Sequence, residues 1–410
     1  MTRDDAVALD RADPLAGFRE RFALPDGVIY LDGNSLGALP KGVAERLAEL
    51  VRSEWGESLI RGWNAHGWID APARIGAKIA RLIGAKPHEV AAADSTSVNL
   101  FKLAAGAVAL RPGRSTILSE PGNFPTDLYM LQGLERFLDG RVKLKTLPAD
   151  EIAAAIDEDV AAVVLTHVHY KSGRRHDMAE ITAAAHAKGA LALWDLSHSA
   201  GVLKLDLNGC GADLAVGCGY KYLNGGPGAP AWLFVAERLQ DQIRSPLSGW
   251  MGHAEPFAFD DAYRPAPGVK RQLCGTPPIL GLAALECALD VVLEADLRAI
   301  EAKAAELGDL FIAEVDARCD GAGLTLVSPR DSGTRGGHVS FAHPDGYAMV
   351  QALIAEGVIG DFRAPDVLRF GFAPLYLRYA DVWDAADKLA EIVAARRWDQ
   401  AEFRRRASVT

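Results

Sequence analysis

Two residues in this chain have the types and the placement to do covalent chemistry together. Asp195 closes an apolar run, Ala190-Leu191-Ala192-Leu193-Trp194, and opens Asp195-Leu196-Ser197-His198. Lys221 follows a second run, Ala212-Asp213-Leu214-Ala215-Val216, and precedes the glycine-rich Gly225-Gly226-Pro227-Gly228. An amine at one strand end can capture an aldehyde. A carboxylate at the neighbouring strand end can hold a proton on a heterocyclic nitrogen, so that the ring accepts electrons. The pair suits pyridoxal phosphate. Taken singly, each residue has a plainer reading, a solvated lysine before a turn and a strand-terminal cap.

Other constellations bear on the same chemistry. Ser95-Thr96-Ser97 precedes a helical stretch running to Leu110. Three hydroxyls there are ordinary N-cap residues, and a helix N-terminus at the carboxyl edge of a parallel sheet also binds anions through free amides. With Lys221 in the chain, a cofactor phosphate is the expected anion. Phe124-Pro125-Thr126-Asp127 follows a strand, where the ring could lie flat on a pyridine or the four residues could form a plain turn. Thr166-His167-Val168-His169-Tyr170-Lys171-Ser172-Gly173 ends another strand. His167 and His169 share a face there, a spacing zinc sometimes uses, but no third ligand is placed to join them, and no metal is expected. Lys171 is a rival for the aldehyde and lacks an acid one strand earlier. Arg369, within Val367-Leu368-Arg369-Phe370-Gly371-Phe372, reads as a snorkelling surface residue or a bidentate carboxylate clamp; alone, the surface reading wins.

Composition narrows the rest. A net charge of −10 over 410 residues argues against nucleic acid or an anionic membrane as partner. No apolar run reaches the ~20 residues that span a bilayer. Met1 to Asp13 is charged and lacks the apolar core of a secretory leader. The five cysteines, Cys210, Cys218, Cys274, Cys287 and Cys319, contain no CxxC pair, so neither a disulfide scaffold nor a zinc cluster is expected, and a cytoplasmic location is. Gly217-x-Gly219 lacks the third glycine and following helix of a dinucleotide loop, and no P-loop occurs.

These residues need a scaffold, and the hydrophobic pattern supplies one. Val43, Leu47, Leu50, Val51 and Trp55 recur at helical spacing, as do Ile75, Ile79, Leu82 and Ile83. Strand-like runs follow near Val90-Ala93, Thr116-Ser119, Val142-Thr146, Ala161-Thr166, Ala190-Trp194, Ala212-Gly217 and Ala231-Val235, several separated by helical stretches. That alternation predicts an α/β fold with a mostly parallel, seven-stranded sheet covered on both faces. Ligands on such sheets bind at the carboxyl ends of strands, where Asp195 and Lys221 both fall. An irregular stretch from Ser245 to Pro278 precedes a helix predicted over Ile279–Leu297. A smaller α+β unit follows, with strand-like pieces near Leu324-Val327, His338-Phe341 and Val367-Phe372, and a charged tail at Arg396–Arg406 reads as a solvated helix end.

Along nearly its whole length the chain resembles kynureninases, enzymes of the fold type I pyridoxal-phosphate class. The resemblance rests on Gly33-Asn34-Ser35-Leu36-Gly37, Phe124-Pro125-Thr126-Asp127, Asp195-Leu196-Ser197-His198-Ser199, Tyr220-Lys221-Tyr222-Leu223-Asn224 and Gly249-Trp250-Met251-Gly252-His253. It implies hydrolysis of L-kynurenine to anthranilate and L-alanine in tryptophan catabolism, with a large cofactor-binding domain over 50–297 and a small domain from 1–49 and 298–410. Lys221, Tyr220 and Asp195 would be catalytic. Thr96, Ser97 and Tyr220 would bind the phosphate, Phe124 would stack on the ring, and Asp127, Thr166 and His198 would lie beside it. Trp250 and Thr276 would reach the phosphate from the facing subunit of a homodimer. Arg369 would grip the substrate carboxylate, with Asn34, Trp63 and His253 also at the substrate. Animal members that favour the 3-hydroxylated substrate carry a histidine and a Ser-Asn pair where this chain has Trp63 and Gly275-Thr276, which makes L-kynurenine itself the expected substrate. The rival is another fold type I enzyme, a cysteine desulfurase using Cys274 or an aminotransferase.

Overall fold

The structure, a computed structural model, describes residues 1–406. A short strand, β1 (Ile29–Tyr30), precedes a large sheet made of β2 (Val90–Ala92), β3 (Thr116–Ser119), β4 (Lys143–Thr146), β5 (Val160–Thr166), β6 (Leu191–Asp195), β7 (Leu214–Gly217) and β8 (Trp232–Val235). Their order is β2-β8-β7-β6-β5-β3-β4. The pairs from β4 to β7 are parallel, and β8 runs antiparallel to both its neighbours. Every residue of β5, β6, β7 and β8 is buried, as a sheet covered on both faces requires. The edge strand β4 instead carries exposed Lys143 and Lys145, which oppose pairing with another chain.

A smaller antiparallel sheet follows: β9 (Thr325–Leu326) and β10 (His338–Ala342), then, after β11 (Val358–Ile359), β12 (Asp361–Arg363) and β13 (Val367–Gly371). Its order is β12-β13-β10-β9. Strand β11 pairs in parallel with β1, tying the N-terminal segment to the C-terminal part of the chain.

The helix over Ala71–Ile83 buries Ile75, Ile79, Leu82 and Ile83, and stops at Gly84, whose φ of 63° is the left-handed cap that glycine accepts without strain. The expected stripe from Val43 to Trp55 is only half realised. An α-helix over Gly42–Glu49 passes into a π-helical turn over Leu50–Trp55. The wider turn rotates the later side chains, so Val43 and Leu50 are buried while Val51 and Trp55 are exposed. The helix expected over Ile279–Leu297 ends at Leu293, and Asp296 starts a second, Leu297–Arg318, by accepting a hydrogen bond from the Arg298 amide at 2.9 Å. Among the described residues no helix is long and apolar enough to cross a membrane.

Candidate active site

Parallel register sets three strand ends side by side: Thr166 of β5 opposes Asp195 of β6, and Asp195 opposes Val216 of β7. Beyond these ends lies a cavity of about 410 Å³. Thr96, Ser97, Phe124, Asp127, Thr166, Asp195, His198, Tyr220 and Lys221 all line it. Asp195 and Lys221 therefore share one chamber.

Local chemistry explains each placement. Ser95 caps the helix Thr96–Ala109, its hydroxyl accepting from the Val98 amide at 3.3 Å. Thr96 and Ser97 form the first turn, whose amides have no intrahelical acceptor, an arrangement that can bind an anion. Asp195 accepts from the Ser197 amide at 2.8 Å, which turns the chain out of β6 and brings His198 over the site. After β7 the chain turns through Tyr220, Lys221 and Asn224, the last with a φ of 56° that asparagine tolerates. The Asp32–Gly37 loop braces this turn. The Gly37 amide donates to the Tyr220 carbonyl at 2.7 Å, and a side chain at position 37 would strike the Lys221 carbonyl and Asn224.

Nζ of Lys221 lies 2.9 Å from Nε2 of His198, and 5.8 Å from the ring centre of Phe124. Phe124 stands edge-on to Tyr170, with ring centres 5.3 Å apart. Thr166 donates to Asp127 at 3.2 Å and makes a shorter contact with Asn123. Burial, followed by the nearby charge of Asp195, holds the Asp127 carboxyl well above the usual carboxylate range. Burial also raises the Tyr220 phenol and the Cys218 thiol. It lowers the His198 imidazole, with Lys221 reinforcing the effect.

Other expected residues lie off this wall. Arg369 is buried, which excludes the surface reading. Its Nε donates to Asp361 at 2.9 Å, Nη1 to the Tyr170 carbonyl at 2.7 Å and Nη2 to Ser35 at 2.8 Å, with a further short bond from Nη2 to Asp361. Asp361 already fills the bidentate position. Asn34 is packed against Gly371 with both amide atoms buried and unpartnered. Trp63 meets Trp68 edge-on in a separate apolar cluster. His253 faces inward, its Nδ1 accepting from the Glu255 amide at 2.9 Å. Trp250 and Thr276 are exposed outside the chamber. Lys171 donates to the Ala364 carbonyl at 2.7 Å, away from the cavity. His167 is taken up by Ser199 at 2.8 Å, and among the described residues no group of side chains is arranged for a metal ion.

Sequence reasoning gave no role to Asp94, which lines the cavity and pairs with buried Lys102 at 2.6 Å. Its position between β2 and Ser95 was the available signal. Asp361 and His338 carried no local signal, because only the β12-β13-β10 register brings them beside Arg369.

Comparison with known proteins gives a consistent result. Residues 300–389 match the family described as the kynureninase C-terminal domain. A kynureninase of Burkholderia mallei is 52% identical over 415 residues, covering 100% of both chains. One from Pseudomonas fluorescens is 50% identical over 414 residues, again covering 100% of both. Among solved structures, an apo cysteine desulfurase from Thermococcus onnurineus NA1 superposes with a TM-score of 0.78 at 22% identity, covering 92% of this chain and 98% of that one. A C-DES mutant with glycine covalently linked to its PLP cofactor gives 0.79 at 17% identity, covering 91% and 99%. At those identities the solved structures speak for the fold alone.

Proposed function

The chain belongs to the kynureninase family, enzymes that hydrolyse L-kynurenine to anthranilate and L-alanine, and we propose that the Asp195–Lys221 chamber is where it does so. The observation that carries this reading is that Lys221, Asp195 and the open helix end at Thr96–Ser97 line one cavity. These residues fit pyridoxal phosphate. The first-turn amides and hydroxyls suit its phosphate, the carboxylate of Asp195 its ring nitrogen, and Nζ of Lys221 its aldehyde, while Phe124 suits the ring face. When bound, the cofactor supplies an electron sink for the pairs left when bonds to Cα and Cβ break.

The chain's own residues then divide the work. Asp195 keeps the ring nitrogen protonated. A carboxylate beside that nitrogen would favour its protonated form by charge attraction, offset in part by desolvation. Lys221, once the substrate amine has replaced it, takes the Cα proton on Nζ. Tyr220 lines the same cavity, with Nζ of Lys221 6.0 Å from its ring centre, and is our candidate to pass a proton toward the substrate. Arg369 is held rigid by Asp361 and keeps one free N–H on Nη1, so it contacts the substrate carboxylate singly unless Ser35 or Asp361 gives way. Residues 50–297 hold the cofactor, and 1–49 with 298–410 form the unit that carries Arg369.

A second copy of the chain completes the site by supplying Trp250 and Thr276, and Asn34, Trp63 and His253 serve the substrate side of that assembled chamber. The free cysteines suit a reducing compartment, the cytoplasm. A desulfurase reading is not favoured, since Cys274 is absent from the cavity wall and burial raises its thiol rather than activating it.

Anthranilate fluorescence after adding L-kynurenine, run beside the 3-hydroxy analogue, tests the reading. Faster turnover of L-kynurenine is expected. No anthranilate from the yellow holoenzyme would overturn it.

A further inference from the structure

One histidine beside this chamber has no place in the chemistry so far. His338 opens β10, its ring wholly buried, with neither ring nitrogen bonded to a protein group. Its ring centre lies 5.4 Å from that of His198, the planes inclined by 60°. His198 in turn has one nitrogen engaged and one not: Nε2 meets Nζ of Lys221 at 2.9 Å, while Nδ1 is buried without a partner. With Nζ of Lys221 as the donor, Nε2 accepts and the His198 proton is assigned to Nδ1. Buried ring nitrogens without a protein partner are rare, and one water bonded to both neighbouring rings would satisfy them.

We propose that His338 is a positioning residue: through one water it fixes the proton on Nδ1 of His198 and so keeps Nε2 aimed at Lys221. This rests on the chamber being the kynurenine site, and adds a part the chemistry of that site has not used. The charged and titratable groups facing the pair are Lys221 on the post-β7 turn, Arg363, Arg369 and Asp361 from the small sheet, and His169 from the loop after β5. Burial keeps both imidazoles neutral, so His338 acts through orientation rather than charge. The fit behind it is close. Gly173, at a φ of 71°, is where the loop after β5 crosses the His338 ring, and a side chain there would press on both the ring and its carbonyl.

The test uses the full chain labelled with 15N-histidine, with and without cofactor, in the wild type, His338→Phe and His338→Gln. In the cofactor-free wild type, His198 should show Nδ1 protonated and Nε2 bare from pH 6 to 9. His338→Phe should lose that single tautomer, and its holoenzyme should lose about one to two orders of magnitude in kcat, with KM for L-kynurenine changed less than twofold. His338→Gln, which can still hold a water, should restore both. A wild-type His198 protonated on Nε2 would overturn the proposal, as would a His338→Phe variant with unchanged tautomer and kcat. Equal loss in Gln and Phe would reduce His338 to packing and overturn it too. Because the tautomer is read without substrate, a wild type that cleaves no kynurenine would refute the chamber's function and leave this result standing by itself.

Discussion

Arg369 aims its guanidinium at Asp361, Nε to Oδ1 at 2.9 Å, across the antiparallel register that pairs the two residues. Both are almost wholly buried, and Arg363 and Ser35 bond the same carboxylate. Removing one partner of a buried pair leaves the other charge uncompensated, at a cost of about 3–5 kcal/mol. Asp361→Ala should therefore lower the melting temperature and weaken kynurenine binding together. A variant as stable as the parent in a thermal melt would show that the pair does not hold the small sheet.

Arg369→Ala separates stability from binding by its kinetic signature. Loss of a contact made equally to substrate and transition state raises KM while leaving kcat largely intact. We expect KM for L-kynurenine to rise roughly tenfold or more, about 1.4 kcal/mol of binding per factor of ten. An unchanged KM would remove Arg369 from the substrate.

Much of this arrangement was legible in the chain, and what was not has physical reasons. Strands β5 to β8 are unbroken apolar runs because the sheet is covered on both faces, and such runs announce themselves. Asp195 and Lys221 were readable because Asp195 closes one such run and Lys221 closely follows another. The Asp361–Arg369 pairing was not, because it depends on a hairpin register, and Asp361 stands in a three-residue strand too short to show a pattern. The π turn at Leu50–Trp55 was hidden as well, since apolar spacing alone does not reveal a change in pitch. Asp296 is a plain N-cap signal, and it splits the single helix expected over Ile279–Leu297.

Lys221→Ala should abolish both the visible absorbance of the bound cofactor and all turnover, because among the described residues no other one lining the cavity offers an amine. The nearest rival, Lys171, is tied to the Ala364 carbonyl. A variant retaining either signal would take Lys221 out of its role.

Acid stability follows from a buried histidine. Burial brings His167 down to about 3, against an ordinary 6.5. Above pH ~6.5 the ring is neutral folded or unfolded and contributes nothing. Below it the unfolded chain takes a proton that the folded chain refuses, so stability falls as pH drops from 6.5 toward 3, by up to about 1.4 kcal/mol per pH unit. Urea unfolding at pH 7 and pH 5 should show His167→Phe losing less between the two than the wild type. Parallel losses would refute the assignment.

The last prediction concerns how the chamber is completed. Along Leu50–Arg61 the chain exposes Val51, Trp55, Leu59 and Ile60, with Ile60 at 78% and Leu59 at 61% of full exposure. Successive large apolar side chains left in water are what the proposed second copy would cover. Trp250 and Thr276, both exposed and both outside the chamber of their own chain, need a second copy if they are to reach a cofactor phosphate. Ile60→Asp places a charge in that contact, where desolvating it without a partner is unfavourable, while on the isolated chain the same residue faces solvent and folding is untouched. Sedimentation should show the wild type as a dimer and the variant as a monomer. Kynurenine turnover should fall in proportion to the monomer fraction and recover at high protein concentration. A monomeric variant with full activity would place the whole site within one chain and leave Trp250 and Thr276 without a role in it.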